Sequence, residues 1–181
     1  MTIVVRDAVS DDAERLGLVH AEAWRIGYTS IFDPVFLSSV SDRLRTRWCA
    51  LLQEQRVRES AVLVAVAGNE IQGFARFGPT GGGSYELSAF YVNPPWWGKG
   101  IASALMASTY QELRDAKATE ARLWTLAAAG RARHFYEKTG WTRTPEHRTR
   151  DFGDGVARPL VRYRMVPCDA GSTNTASMGS R

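Results

Sequence analysis

The chain has only two cysteines, Cys49 and Cys168, far apart in its 181 residues and with no C-x-x-C spacing or histidine cluster beside either. Neither a disulfide framework nor a metal-ligand set is suggested, so free thiols and no metal are expected. There is no apolar run long enough to span a bilayer, and the sequence reads from its start into a strand rather than a leader peptide. No membrane partner and a cytoplasmic location are the resulting expectations. Concentrated charge is also lacking. The formal net charge is +4, and nearly all the cations are arginines spread along the chain rather than gathered in a block. Internal repeats are missing. What remains is an ordinary globular composition, 44% hydrophobic and 23% charged, at a length that suits one domain with a sizeable core and no second enzyme module.

The most informative stretch is Glu86-Leu-Ser-Ala-Phe-Tyr-Val-Asn-Pro-Pro-Trp-Trp-Gly-Lys-Gly-Ile-Ala102. An apolar strand is stopped by two prolines, crosses a glycine-bearing turn and enters a helix. Gly98 and Gly100 let the backbone approach a ligand closely, and free N–H groups at a helix start can bind a pyrophosphate without a cationic side chain. Two familiar phosphate motifs fail here. G-x-G-x-x-G needs a glycine at 103, where Ser103 stands, and an acidic ribose-binding residue about 20 positions further on. A P-loop needs Ser or Thr after its lysine, yet Lys99 is followed by Gly100.

The segment resembles motif A of the GCN5-related N-acetyltransferases (GNAT), Val-x-x-x-x-Gln/Arg-Gly-x-Gly-Ile-Gly/Ala. Val92, Gly98, Gly100, Ile101 and Ala102 match it, while Trp97 stands in place of Gln or Arg. About 35 residues on, Ala129-Gly-Arg-Ala132-Arg-His-Phe135-Tyr136-Glu-Lys-Thr-Gly140-Trp141 resembles motif B, Asn-x-x-Ala-x-x-Phe-Tyr-x-x-x-Gly-Phe, with Ala129 in place of Asn. Two motifs in the right order make a stronger signal than either alone.

The elements read in the order of that family. A strand over 2–8 precedes a helix carrying Leu16, Val19, Ala23 and Trp24 at helical spacing, with Ser10-Asp-Asp as its cap. Asp33-Pro34 opens a short helical turn, and Ser41-Asp42 caps a long helix striped with Leu44, Trp48, Leu51 and Leu52. Strands over 61–67 and 70–78 form a hairpin. The glycine run 81–83 links it to a strand over 85–92 and is too flexible to be an element. A helix over about 98–116, a strand over 121–127, a helix over about 130–139 and strands over 142–152 and 156–166 complete the order. The resemblance implies an α/β (mixed α+β) fold: a central, mostly antiparallel twisted sheet of about seven strands, splayed at the motif A strand and flanked by about four helices. Residues 1–167 form the domain; 168–181, rich in Ser, Thr, Gly and Asn, are expected to be disordered.

The resemblance implies an acetyltransferase that uses acetyl-CoA to modify an amine of a small molecule or peptide, by direct transfer in a ternary complex. Phe90, Tyr91, Val92, Trp97, Gly98, Lys99, Gly100, Ile101, Ala102, Ser103, Ala129, Arg131, Arg133 and Phe135 would form the cofactor groove. The oxyanion would meet a backbone N–H of Val92 or a neighbour. Tyr136 matches the family's proton donor to the departing thiolate, or else packs the helix onto the sheet. Glu86 resembles its general base, or else is a strand-end carboxylate facing solvent or an arginine. Lys99, Arg131 and Arg133 meet the 3′-phosphate end of CoA, or are solvated surface.

The acceptor wall of the family is built by the first two helices. Here they carry Trp24, Tyr28, Phe32 and Phe36, with Glu22 and Asp33 nearby. This stripe is either core or a pocket suited to a cationic or amphipathic amine. Dimers are common in the family, so a homodimer is compatible with the sequence. Two other functions stay open: a non-catalytic acyl-CoA sensor of the same fold, raised by Trp97 and Ala129, and nucleic-acid binding through Arg148, Arg150, Arg162 and Arg164. The last lacks a stacking motif, and Asp151 and Asp154 dilute its field, so no nucleic-acid partner is expected.

Overall fold

Seven strands and four helices make up the residues that the structure, a computed structural model, describes: 2–58 and 60–167, with the backbone alone over 53–58. In chain order they are β1 (Val4–Asp7), α1 (Ala13–Gly27), α2 (Pro34–Arg58), β2 (Ala61–Ala67), β3 (Glu70–Gly81), β4 (Ser84–Val92), α3 (Ile101–Asp115), β5 (Glu120–Leu126), α4 (Gly130–Lys138), β6 (Thr142–Asp151) and β7 (Ala157–Met165). Short 3-10 turns precede α1 and α3. The expected order of elements is reproduced, and the tail from 168, with Cys168, lies outside the described residues.

The strands form one mixed sheet in the order β1-β2-β3-β4-β5-β7-β6. Every neighbouring pair is antiparallel except β4 and β5, whose crossover is α3. The unbroken apolar run of β2 follows from burial on both faces. Val62 and Val64 point to α1 and α2 with Leu16, Trp48 and Phe74, while Leu63, Ala65 and Ala67 point to α3 with Ile101, Leu105 and Leu113. A third cluster joins Trp24, Phe32 and Leu44 to Leu126 and Leu160. Among the described residues no helix is long and apolar enough to cross a membrane.

Two local expectations are corrected. No break separates a short turn from a second helix at Ser41. The Ser41 hydroxyl is buried and donates to the carbonyls of Leu37, one turn back, and of Ala21, so α2 runs on from Pro34. The start of α2 is held by Asp33, whose Oδ1 accepts from the Val35 N–H at 2.8 Å. The glycine run is likewise a tight hairpin turn rather than a slack linker. Gly82 and Gly83 take φ of 60° and 78°, and β3 and β4 pair down to Gly81 and Ser84.

The pairing of β4 with β5 covers only Ser84–Glu86 against Glu120–Arg122. Beyond it β4 stays on β3 through Val92, with a register shift opposite Arg76 and Phe77. The second half of β4 therefore has an open edge, and the sheet is splayed as expected.

Candidate active site

The turn after β4 is fixed by its glycines. Gly98 has φ 75°, and Gly100, the N-cap of α3, has φ 87°. Side chains rarely adopt that region. Nothing lies within 4 Å of where a Cβ on Gly98 would stand, so its surface is open to a ligand. The first helical hydrogen bond runs from Ala104 N–H to the Gly100 carbonyl, which leaves the amides before it without helical partners. Ala102 and Ser103 of this first turn line a cavity of about 1260 Å³ that continues into the splay.

The expected cofactor residues divide by position. Phe90, Val92, Trp97, Gly98, Gly100, Ala102, Ser103, Ala129, Arg131 and Phe135 lie on that cavity's wall. Ile101 is fully buried beneath α3 and anchors the helix. The Lys99 ammonium stands over the Trp96 ring, 5.0 Å from its centre, and is off the wall. Arg133 turns inward to the Ala127 carbonyl (2.9 Å) and the Tyr163 hydroxyl (3.3 Å), tying α4 to the sheet. Trp97 donates its indole N–H to the Val92 carbonyl at 2.9 Å, and the Arg131 guanidinium stacks on its ring at 3.7 Å. A guanidinium from α4 thus stands beside the turn where the motif's own polar residue is missing.

Asn93 donates its backbone N–H to Gln72 of β3. By strand alternation the N–H and C=O of Val92 point the other way, into the splay. Tyr136 sits there, buried among Phe90, Phe135, Trp141 and Tyr163. Burial, helped by the neighbouring Tyr91, holds its phenol pKa well above the ordinary value.

Tyr91 faces the α1 side of the sheet. Its hydroxyl accepts from the Trp24 indole N–H at 3.0 Å and keeps its own proton to donate. Trp24 and Tyr28 line the cavity, Trp24 serving as core and wall at once. Phe32 does not reach it, contrary to expectation. Its ring is buried among Trp24, Phe36 and Phe152, with the Arg158 guanidinium 4.1 Å from its centre. Glu22 pairs with Arg25 and Asp33 caps α2, so neither carboxylate serves the pocket. Glu86 does line it, half-buried and paired with Arg122 at 3.3 Å.

Sequence reasoning missed His20. It lies one turn before Trp24, on the cavity wall, against Tyr91, Phe74 and Trp48, and its buried Nδ1 has no hydrogen-bond partner among the described residues. Its four-residue spacing from Leu16 and Trp24 was the available signal. Burial, and then the positive Arg47, lower its pKa from 6.5 to about 3. The folded protein keeps this imidazole neutral while the unfolded chain takes up a proton below about pH 6.5. Stability is therefore full above that pH and falls as pH drops toward 3. The loss from this group is about 2 kcal/mol at pH 5. Melting curves at pH 8 and pH 5 should show it, and His20→Leu should flatten the dependence; an equal drop in the variant would contradict the assignment.

Residues 20–141 match the sequence model of the acetyltransferase (GNAT) family, which is most of the chain. The protein belongs to that family, whose acyl donor is acetyl-CoA. Among solved structures, it is similar to the PaiA N-acetyltransferase of Thermoplasma acidophilum in complex with coenzyme A: 21% identity, TM-score 0.75, 92% of this chain and 99% of that one. An N-acetyltransferase from Staphylococcus aureus Mu50 aligns at 17% identity and TM-score 0.73, over 93% and 100% of the two chains. YncA of Salmonella typhimurium, a putative acetyltransferase solved with acetyl-CoA, aligns at 18% and 0.67, over 97% and 99%. At these identities the likeness is one of fold. No curated protein matches the chain. The left-handed glycines, the bare first turn of α3 and the open edge of β4 fit a ligand with a pyrophosphate and a long thin arm.

Proposed function

We propose that the chain is an N-acetyltransferase that moves the acetyl group of acetyl-CoA directly to a primary amine of a small molecule or peptide, both bound at once. The observation that carries this reading is a single cavity joining the glycine turn, the splayed edge of β4 and the buried phenol of Tyr136 to an aromatic wall on α1.

Acetyl-CoA supplies the acetyl thioester and the thiol leaving group. The amides of the α3 first turn, with Gly98 and Gly100, hold the pyrophosphate, and Arg131 on its Trp97 platform adds a positive charge there. The Val92 N–H is aimed to stabilise charge on the carbonyl oxygen. Tyr136 keeps its proton on Oη and presents it to the sulfur. Glu86, oriented by Arg122, takes the proton of the amine through water. Trp24, Tyr28 and Tyr91 shape the acceptor side.

The test is calorimetric titration with acetyl-CoA, beside CoA and NADH, followed by thiol release in the presence of amines. Acetyl-CoA should bind at micromolar concentration and release thiol only when an amine is added. Glu86→Gln should lower kcat by about 100-fold with acetyl-CoA affinity held. Unchanged turnover would remove Glu86 from the mechanism. Binding without transfer to any amine would favour a non-catalytic acyl-CoA sensor.

A further inference from the structure

The cavity's charge does not match a cationic acceptor. Among the described residues its wall carries six arginines, at 43, 47, 76, 131, 148 and 150, against one carboxylate, Glu86, and that carboxylate is paired with Arg122 outside the wall. Arg131 belongs to the cofactor side. Arg43 and Arg47 stand one turn apart on α2, and Arg148 and Arg150 stand two apart on β6, each pair on one face. The two pairs converge on the acceptor side. Arg43 Nη2 lies 4.0 Å from where a Cβ on Gly153, just past β6, would stand. Arg148 lies over Trp124 at 4.3 Å and Arg150 over Phe152 at 5.1 Å, the Phe152 ring touching Trp24. No carboxylate lies within ion-pair distance of Arg43, Arg47, Arg148 or Arg150 among the described residues. Arg162 and Arg164, by contrast, are held by Glu120 and Glu146 away from the cavity.

Building on the transferase reading, we propose that the acceptor is an amine whose other end carries an anionic group, a carboxylate or a phosphate, joined by an apolar or aromatic body. The arginines around the mouth attract the anion, and the rings of Trp24, Tyr28, Trp124 and Phe152 receive the body. The same charges repel polycations. They also disfavour the ammonium form of the amine, so more of it enters as the neutral nucleophile. Polyamines and aminoglycosides, which an aromatic wall with carboxylates would suit, are therefore poor acceptors here. The neutral His20 leaves the floor of the pocket uncharged.

The test uses matched amines that differ only in the far group: phenylalanine against phenylalanine amide, phosphoethanolamine against ethanolamine, and spermidine as the polycation. Thiol release from acetyl-CoA gives kcat/KM, and calorimetry on protein saturated with CoA gives affinity independently of chemistry. Within a pair the anionic member should win by about tenfold or more at low salt, and the advantage should shrink as salt is raised. The pair with the larger ratio distinguishes carboxylate from phosphate. In Arg148→Gln/Arg150→Gln the ratio should fall to about threefold or less, with partial recovery in the double Lys variant and CoA affinity held. Arg47→Gln, on the other element, provides a second variant should the double one fold poorly.

A preference for the amide or for spermidine would overturn the proposal, as would a ratio insensitive to salt. So would a loss of CoA affinity in the β6 variant with the amine ratio intact, which would assign these arginines to the cofactor. Absence of thiol release with every amine, beside intact acetyl-CoA binding, would sink the transferase reading instead, and the binding arm would still decide the charge of the ligand.

Discussion

Gly100→Val is expected to abolish acetyl-CoA binding, weakening it by at least about 100-fold, while leaving a folded protein. Position 100 has φ 87°, in a region where a β-branched residue is a conformational outlier costing about 1–2 kcal/mol. The space is not the obstacle. A Cβ there would meet only Ile3 Cδ1, at 3.4 Å, which is ordinary contact. The strain is relieved by turning the peptide, and that peptide accepts the first hydrogen bond of α3, from Ala104. Rotation spoils the aim of the amides of 101–103 and brings a branched side chain to a surface that must lie against a pyrophosphate. The anchors of α3, Ile101, Leu105 and Leu113, are untouched, so a melting temperature lowered by only a few degrees is expected. Gly98→Ala isolates the conformational part, because nothing lies within 4 Å of its Cβ; about tenfold weaker binding is expected. Titration of both variants with acetyl-CoA checks this. Affinity within twofold of the parent for Gly100→Val would mean that the pyrophosphate does not lie on this turn.

Such a prediction was within reach of the sequence because the turn is built from consecutive residues. Gly98, Gly100 and the first turn of α3 are covalent neighbours, and their spacing alone states the geometry. The continuous apolar run of β2 and the stripe of Leu44, Trp48, Leu51 and Leu52 on α2 were legible for the same reason. What could not be read depends on partners distant in the chain. Ser41 looks like a cap until the Ala21 carbonyl is placed against its hydroxyl. Trp24 and Phe32 are eight positions apart on one stripe, yet only Trp24 reaches the cavity, because Phe152, 120 positions later, covers Phe32. The arginines are spread along the sequence rather than gathered in a block, and the fold brings those of α2 and β6 to one cavity wall. Glu22 and Asp33 suggested a cationic acceptor until Arg25 and the amides of α2 claimed them.

Tyr136→Phe should lower kcat by about 100-fold or more while acetyl-CoA affinity stays within about threefold of the parent. The ring itself is packed on Phe90, Phe135, Trp141 and Tyr163, and phenylalanine keeps every one of those contacts, so only the hydroxyl is tested. Burial raises its pKa above the ordinary value of about 10, whereas a thiol ordinarily titrates near 8.5. The phenol is therefore the weaker acid of the two. It stabilises the charge growing on sulfur by donating a hydrogen bond, and full proton transfer from this weaker acid to a thiolate would run uphill. The sign of the pH dependence follows. A group held protonated by an upward shift cannot be lost on the alkaline side below pH 10, so kcat of the parent should show no fall there that the Phe variant lacks. The two profiles should run parallel, displaced by the same factor from pH 7 to pH 10, when measured by thiol release at saturating amine. If the displacement shrinks as pH rises, the hydroxyl titrates inside that window and its buried setting has been misjudged. If kcat stays within twofold of the parent at every pH, Tyr136 only packs α4 onto the sheet, and the thiolate leaves without a proton donor.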